Sequence, residues 1–251
     1  MKTLFQVPTT TISASQLYRS SNGYVPDITE NANVPNTTLI NGSRQMWTVS
    51  KLRNARKTPL AVPNPWPPTA GYTPTTNVIT VSGQTYGNGT YNISASSIYD
   101  GTVPAYKALD NDAYSWWASL PKYNSTSPWA YNGTITTKDS SNTTYSGEWI
   151  QVQLPQAIVA TSYKITPQWV VSYGGTQSVN QPRVWYLFAS NTGTDGSWVR
   201  LHSGTNSSWT QSTIEFTITG NSASYSYYRI VCTNLASNTS FAIAVLKIIG
   251  S

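Results

Sequence analysis

From Asn77 to the C-terminus, short runs rich in Thr, Val, Ile and Tyr alternate with turn residues, and this pattern constrains the fold more than any other feature. In chain order the runs are VITVSG, YNISASS, EWIQVQLPQ, AIVATSYKITPQ, PRVWYLFASN, SWVRLHSG, STIEFTITG, YSYYRIVCTN and FAIAVLKIIG. β-Branched and aromatic residues favour strands, and short strands at nearly regular spacing indicate an all-β sandwich. No segment predicts a long helix.

The N-terminal region differs from the rest of the chain. Its short apolar pieces are separated by Pro and Asn, and five prolines lie between Pro59 and Pro68. Because each proline fixes φ and disfavours helix at the preceding residue, this composition favours an extended conformation. We therefore predict two parts: residues 1–78 as an extended, Pro-rich N-terminal arm with a basic patch, and residues 79–251 as the β-sandwich domain.

Charge is sparse and unevenly distributed. Only 10% of residues are charged; residues 1–78 hold seven Lys/Arg and two acidic residues, whereas residues 79–251 hold eight and seven. The single cysteine, Cys232, excludes an intrachain disulfide, is expected to be buried, and favours folding in a reducing compartment. The start of the chain is not expected to act as a signal peptide, because its apolar run breaks at Gln6 and Pro8. No apolar run is long enough to predict a transmembrane segment.

Several motifs appear in the order of a known family. They are ISASS, AYKALDNDAYSWWAS, GEWIQVQL, SYKITP, PRVWYLFASNTGTDGSWVRLHS, YYRIVCTN and FAIAVLKIIG. Over about residues 85–251 the chain resembles the discoidin, or coagulation factor 5/8 C-type (galactose-binding-like), module. This resemblance implies a jelly-roll β-sandwich in which Trp117 and Trp149 are core residues and Arg229 leans inward.

The acidic loop has two open interpretations. In glycan-binding relatives this loop holds a structural Ca²⁺, which implies a ligand set of Asp110, Asp112, Ser115 and the carbonyls of Lys107 and Ala242. Hard oxygen donors at short spacing suit Ca²⁺, but the family's C-terminal glutamate corresponds to Val245. Alternatively, the aspartates rigidify the loop by accepting hydrogen bonds from backbone N–H groups, and Lys107 pairs with one of them.

Aromatic residues predict a second kind of site. Sugars pack their apolar faces on aromatic rings while polar neighbours supply hydrogen bonds. The predicted ligand-binding residues lie in loops or at strand ends and are Tyr99, Trp116, Trp129, Trp169 and Tyr173. The alternatives are that these rings cover the ends of the sandwich, contact the arm, or form a protein–protein interface, which uses the same residue types.

The arm carries a third candidate surface, formed by basic and aromatic residues: Trp47, Lys51, Arg53, Arg56, Lys57 and Trp66. We interpret it as an assembly surface. Nucleic acid is not expected as a partner, because four basic residues provide few phosphate contacts and the aromatic residues among them are sparse.

Catalysis finds no support in the sequence. The only histidine, His202, lies in a strand-like run, and one His with one Cys cannot form a His/Cys metal cluster. No nucleophile elbow or phosphate-binding loop is present. The chain is therefore not expected to be an enzyme.

Two functions follow from the resemblance. Similar modules, preceded by unrelated arms, occur in structural proteins of large DNA viruses and in phage fibres, and the abundance of Thr, Asn and Tyr resembles that group. This implies a virion structural protein, a minor capsid or fibre component. It would be made in the host cytoplasm and would contact other capsid proteins through its arm and sandwich. The alternative is an extracellular or cell-surface adhesion module that recognises cell-surface glycans.

Overall fold

The structure is a computed structural model that describes residues 75–81, 88–172, 175–178, 180–210 and 213–251. These residues form fourteen strands: β1 (Val78–Val81), β2 (Gly89–Ala95), β3 (Trp117–Ala118), β4 (Thr136–Lys138), β5 (Thr144–Ser146), β6 (Glu148–Ile158), β7 (Ala160–Pro167), β8 (Trp169–Ser172), β9 (Gly175–Ser178), β10 (Pro182–Ser190), β11 (Val199–Thr205), β12 (Ile214–Thr217), β13 (Tyr225–Leu235) and β14 (Ala242–Gly250). In the same residues the helical structure is one 3₁₀ turn, Ala105–Ala108. No helix in this part of the chain is long and apolar enough to cross a membrane.

The strands build two main antiparallel sheets and two hairpins. One sheet has six strands in the order β1-β2-β6-β13-β10-β11, and the other has four in the order β12-β7-β14-β3. Strands β4 and β5 form one hairpin, and β8 and β9 form the other. The predicted all-β sandwich is thus confirmed for the described residues.

The main core lies between the two sheets. Alternation along β6 buries Ile150, Val152 and Leu154 on one face, and they join Ile165 and Ile248 from the other sheet in a single apolar cluster. Removing apolar side chains from water at about 25 cal/mol per Å² is the dominant favourable term in such a fold.

Trp117 anchors this core, as the resemblance predicted. Its ring is fully buried and packs edge-on against Phe241, with ring centroids 5.2 Å apart. Its indole N–H donates to the carbonyl of Ser97 at 3.0 Å, so the one polar atom of the side chain has a partner.

Trp149 is not in this core, and the expectation for it was wrong. Because Ile150 and Val152 point inward, period-two alternation places Trp149 on the opposite face of the six-stranded sheet. There it packs against a second apolar cluster, called the outer cluster, which comprises Tyr145, Phe188, Trp198 and Val231.

Candidate functional site

The segment 122–132 forms a closed loop at one end of the sandwich, called the Trp129 loop. Tyr123 and Tyr131 form an antiparallel bridge, the N–H of Asn124 donates to the carbonyl of Ala130 at 3.0 Å, and the N–H of Asn132 donates to the carbonyl of Lys122 at 2.8 Å. These ladder bonds fix the two legs of the loop and leave residues 125–129 as its tip.

Backbone hydrogen bonds hold this loop on the body of the protein. The N–H of Tyr131 donates to the carbonyl of Thr233 at 2.9 Å, and the N–H of Leu235 donates to the carbonyl of Trp129 at 3.0 Å. In addition, the hydroxyl of Tyr123 donates to the carbonyl of Cys232 at 2.8 Å. The loop is therefore positioned by strand β13 before any ligand arrives.

Trp129 has an unusual backbone conformation. Among the described residues five non-glycine residues have positive φ; four are asparagines, which tolerate this region, and the fifth is Trp129 at 48°. A bulky residue held there costs on the order of 1–3 kcal/mol, and such outliers concentrate at binding sites. Its ring is half-buried and packs against the main core.

Uncharged polar groups lie on and beside the loop that carries this ring. The amide of Asn132 donates to the side-chain oxygen of Asn124 at 3.0 Å, and both residues are exposed. The amide of Asn234 donates to the carbonyl of Pro128 at 3.4 Å. The loop contains one basic residue, Lys122, and no acidic residue. The site therefore offers a ring with neutral donors and acceptors.

A buried carboxylate supports the base of the loop. Glu148 is 1% exposed and accepts hydrogen bonds from the hydroxyls of Ser96, of Ser97 at 2.6 Å and of Tyr131 at 3.3 Å. Burial raises the pKa of Tyr131 to about 12, and the charge of Glu148 adds to the effect. Tyr131 therefore stays a neutral donor and ties the loop to the segment before Tyr99.

The structure divides the predicted ligand-binding aromatics into two groups. The N–H of Tyr99 donates to the carbonyl of Ala118 at 2.8 Å, and half-buried Trp116 packs near the same residue. Tyr99 is exposed (54%). These two rings therefore belong to one surface beside β3.

The second group comprises Trp129 and Trp169, whose segments are connected by backbone hydrogen bonds near the base of the β8–β9 hairpin. The N–H of Ala236 donates to the carbonyl of Gln181 at 2.9 Å, one residue after Leu235, which bonds to Trp129. Trp169 opens this hairpin and is half-buried; its indole N–H has no hydrogen-bond partner among the described residues. Tyr173 lies outside the described residues.

The predicted ligands of the acidic loop bond to one another. The carboxylate of Asp110 accepts from the N–H of Asp112 at 2.9 Å and from the hydroxyl of Ser115, and Asp112 accepts from the N–H of Tyr114 at 2.8 Å. Burial raises the pKa of Asp110. Lys107 lies in the 3₁₀ turn Ala105–Ala108, and the N–H of Ala242 donates to the carbonyl of Asn180 at 2.9 Å.

These are the contacts that the second interpretation of the loop predicts, in which the aspartates accept hydrogen bonds from backbone N–H groups. In the part of the chain that the structure describes, no three carboxylate, His or Cys side chains come together as metal ligands. The donor set is therefore short of the charged ligands that Ca²⁺ sites gather, and Ca²⁺ binding stays a prediction.

Three further predictions concern residues elsewhere. The arm residues Trp47, Lys51, Arg53, Arg56, Lys57 and Trp66 lie outside the described residues. His202 is half-buried, and its Nδ1 lies 2.8 Å from the hydroxyl of Tyr163, in contact with the core. Cys232 is fully buried, as expected, and is a free thiol.

Sequence reasoning identified Trp129 but not the residues that position it. No sequence pattern marked Glu148 and Tyr131 as residues of this site. They lie in different elements of the chain, and only the fold brings them into contact. The cluster Asn124-Ser-Thr-Ser-Pro128 does predict a turn, and it could have marked this loop as the one that presents a ring.

Comparison with known proteins finds likeness in structure only. No protein-family profile and no curated protein sequence matches the chain. The chain is similar to the family 32 carbohydrate-binding module of NanJ from C. perfringens, solved with galactose, at 19% identity over 63% of this chain and 92% of that one, with a TM-score of 0.42. It is also similar to chitosan-binding module 1 of a chitosanase/glucanase from Paenibacillus sp. IK-5, at 18% identity over 63% and 94%, with a TM-score of 0.43.

A third similar structure belongs to the family that the sequence resembles. It is the F5/8 type C domain of a protein from Bacteroides fragilis, at 16% identity over 63% of this chain and 89% of that one, with a TM-score of 0.45. At these identities the similarity concerns the fold.

Proposed function

We propose that this chain is a non-catalytic carbohydrate-binding module whose ligand packs against Trp129. The observation that carries the proposal is the conformation of that residue. Trp129 is the one bulky side chain at positive φ in the described part of the chain, on a loop fixed by backbone bonds to Thr233 and Leu235. A rigid, half-exposed ring is what a sugar face needs, because no loop ordering has to accompany binding.

The polar neighbours suit the same ligand. Sugar hydroxyls both donate and accept hydrogen bonds, and the side chains of Asn124 and Asn132 present uncharged groups of both kinds beside the loop tip. With Lys122 as the one charged residue of the loop, the chemistry favours a neutral sugar.

The virion assembly function stays a separate prediction. It depends on the predicted arm, residues 1–78, of which residues 1–74 lie outside the described residues, and no contact of the sandwich favours it over carbohydrate binding. The two functions are compatible, since a surface protein of a particle can also bind sugars.

A glycan array tests the proposal. It should include galactose- and glucosamine-terminated oligosaccharides, the classes of sugar named for the similar structures. We expect the wild-type chain to bind at least one neutral glycan and Trp129→Ala to lose that binding. Tyr114→Ala is the matched control: Tyr114 is the most exposed large apolar residue of the described chain at 88%, and it lies in the acidic loop.

Two results would contradict the proposal. One is the absence of binding to every glycan on the array by a folded wild-type chain. The other is equal loss of binding in Trp129→Ala and Tyr114→Ala, because it would show a general effect of removing exposed rings.

A further inference from the structure

The outward side of strands β2, β6 and β13 carries an ordered set of uncharged side chains, called the amide face: Asn92, Ser94, Trp149, Gln151, Gln153 and Tyr227. Strand register aligns them in rows. Asn92 lies opposite Gln153, which lies opposite Tyr227, and Ser94 lies opposite Gln151. Neighbouring strands are about 4.8 Å apart, and alternate residues on one strand are about 7 Å apart.

The two glutamines of this face are held in a defined orientation. The oxygen of Gln153 accepts from the amide of Asn92 at 2.8 Å. The oxygen of Gln151 accepts from Nε and Nη2 of Arg229 at 3.0 and 2.7 Å. Because the oxygens are occupied, each glutamine keeps its NH₂ group as a donor, and neither NH₂ group donates to another described residue.

A stacked arginine forms one side of this face. The guanidinium of Arg229 lies 4.0 Å from the ring of Trp149 and 4.2 Å from that of Trp198, and its Nη1 donates to the hydroxyl of Thr137 at 2.9 Å. Arg229 is 6% exposed, so its charge is covered. Thr137 belongs to the β4–β5 hairpin, which is therefore linked to this face through Arg229.

We propose that the amide face binds a neutral polysaccharide chain, as a site separate from the Trp129 loop. The face presents two oriented NH₂ donors about 7 Å apart along β6 and the half-buried rings of Trp149 and Tyr227, and none of its six side chains carries a charge. These features match a ligand made of repeating neutral hydroxylated units. The proposal does not depend on Trp129.

A polypeptide fits this face less well. Strand addition needs the unpaired backbone of an edge strand, and β6 and β13 are both paired on each side. A stable protein interface has an apolar core, whereas amides and hydroxyls make up most of this face. Binding of a protein is therefore the outcome that the test must distinguish.

The test is an NMR titration of the full-length ¹⁵N-labelled chain. The probes are four neutral hexasaccharides, namely β-1,4-glucan, β-1,4-xylan, β-1,4-mannan and β-1,3-glucan, each compared with its disaccharide. We expect at least one hexasaccharide to shift the side-chain NH₂ signals of Gln151 and Gln153 and the indole signal of Trp149, and its disaccharide to bind more weakly.

Two variants make the result specific. Gln153→Leu keeps the size of an accessible side chain and removes its donor; losing one hydrogen bond should weaken hexasaccharide binding about fivefold. Trp129→Ala should leave these shifts unchanged, which separates this site from the one on the loop. Equal melting temperatures establish that both variants are folded.

Three outcomes would overturn the proposal. The first is that none of the four hexasaccharides moves the glutamine signals. The second is that the signals shift with protein concentration alone, which would make the face a contact between copies of this chain. The third is that Gln153→Leu, folded, binds the hexasaccharide as tightly as the wild type.

Discussion

Arg229 holds part of the outward sheet face together through ring, amide and hydroxyl contacts and one long ion pair. Its guanidinium is sandwiched between two indole rings and donates to Gln151 and Thr137, while Asp195 lies 3.9 Å away. Burial lowers its pKa to about 10, and Asp195 partly offsets that shift. The side chain therefore stays charged at neutral pH, and its attraction to the two rings is strengthened by the partial exclusion of water.

Replacing Arg229 with Lys should destabilise the fold by about 2 kcal/mol, because an ammonium lacks the planar group that stacks on the rings and the fixed fork of N–H donors that reaches both Gln151 and Thr137. Urea unfolding measures the change. Arg200→Lys is the matched control: Arg200 is exposed, lies 6.0 Å from the ring of Tyr186, and should tolerate the exchange. Equal effects at the two positions would contradict the role of the stack.

The single histidine is hydrogen-bonded to a core tyrosine. The indole N–H of Trp185 donates to the hydroxyl of Tyr163 at 2.8 Å, and that hydroxyl shares a hydrogen bond with Nδ1 of His202, also at 2.8 Å. Burial lowers the pKa of His202 below its ordinary value of 6.5.

Stability should therefore depend on the charge of His202. The unfolded chain takes up the proton on His202 more readily than the folded chain. The stabilisation that neutral His202 gives to the folded state is therefore complete above about pH 6.5 and is lost as the pH falls from there through the lower pKa of the folded state. The free energy of unfolding of the wild type should drop as the pH falls below about 6.5, in a window that begins above the ordinary pKa values of the carboxylates. His202→Gln should flatten the curve in that window, and an unchanged slope in this variant would assign the effect to other groups.

The β4–β5 hairpin depends on one carboxylate at its turn. Asp139 accepts from the backbone N–H groups of Ser141 and Thr143, both at 2.9 Å, and from the hydroxyl of Tyr145 at 3.2 Å. Strands of three residues are not stable alone, so the turn and the packing of Tyr145 on Phe188 must keep the hairpin on the sheet.

Asp139→Ala should release this hairpin locally. We expect amide hydrogen exchange to accelerate over residues 136–146, while the amides of β13 in the core keep their protection. Asp100→Ala is the control: Asp100 makes the same kind of contact with the N–H of Thr102 at 2.7 Å in an exposed turn. Faster exchange throughout the sandwich would show instead that the hairpin is part of the global folding unit.

Much of the element order could be predicted from the sequence, because alternation and turn residues are local signals. The run AIVATSYKITPQ was nevertheless predicted as one strand. In the structure β6 continues through Pro155 to Ile158 and β7 begins at Ala160, with Val159 bonded to Ser251 at the corner. The two hairpins were missed because their strands are only three or four residues long.

The candidate site was predictable in part for a similar reason. A tryptophan in a turn-rich loop is visible in the sequence, and so Trp129 was predicted. Its positive φ was not, since the residue types that favour that region are Gly and Asn. Trp149 was predicted in the core from the family resemblance, whereas the period-two alternation of β6 in the structure places it on the outward face. Contacts such as Tyr131 with Glu148 depend on the three-dimensional arrangement of loops, which no local pattern contains.

At the scale of the whole molecule, the described sandwich carries both proposed sugar surfaces. If the predicted arm, residues 1–78, serves assembly, a chain that begins near residue 75 and keeps β1 should fold, bind glycans as the full chain does, and fail to join a larger assembly. Circular dichroism and the glycan array measure the first two properties. Loss of glycan binding in a folded truncated chain would show that the arm contributes to the site.

The measurement that tests the carbohydrate-binding function most directly is calorimetric titration of the array-selected glycan into the wild type, Trp129→Phe and Trp129→Ala. A buried ring contact of this kind contributes about 2 kcal/mol, so we expect the alanine variant to bind roughly thirtyfold more weakly. The phenylalanine variant, which keeps a ring, should fall between the two. Equal affinity in all three folded proteins would contradict the assignment of the ligand to the Trp129 loop.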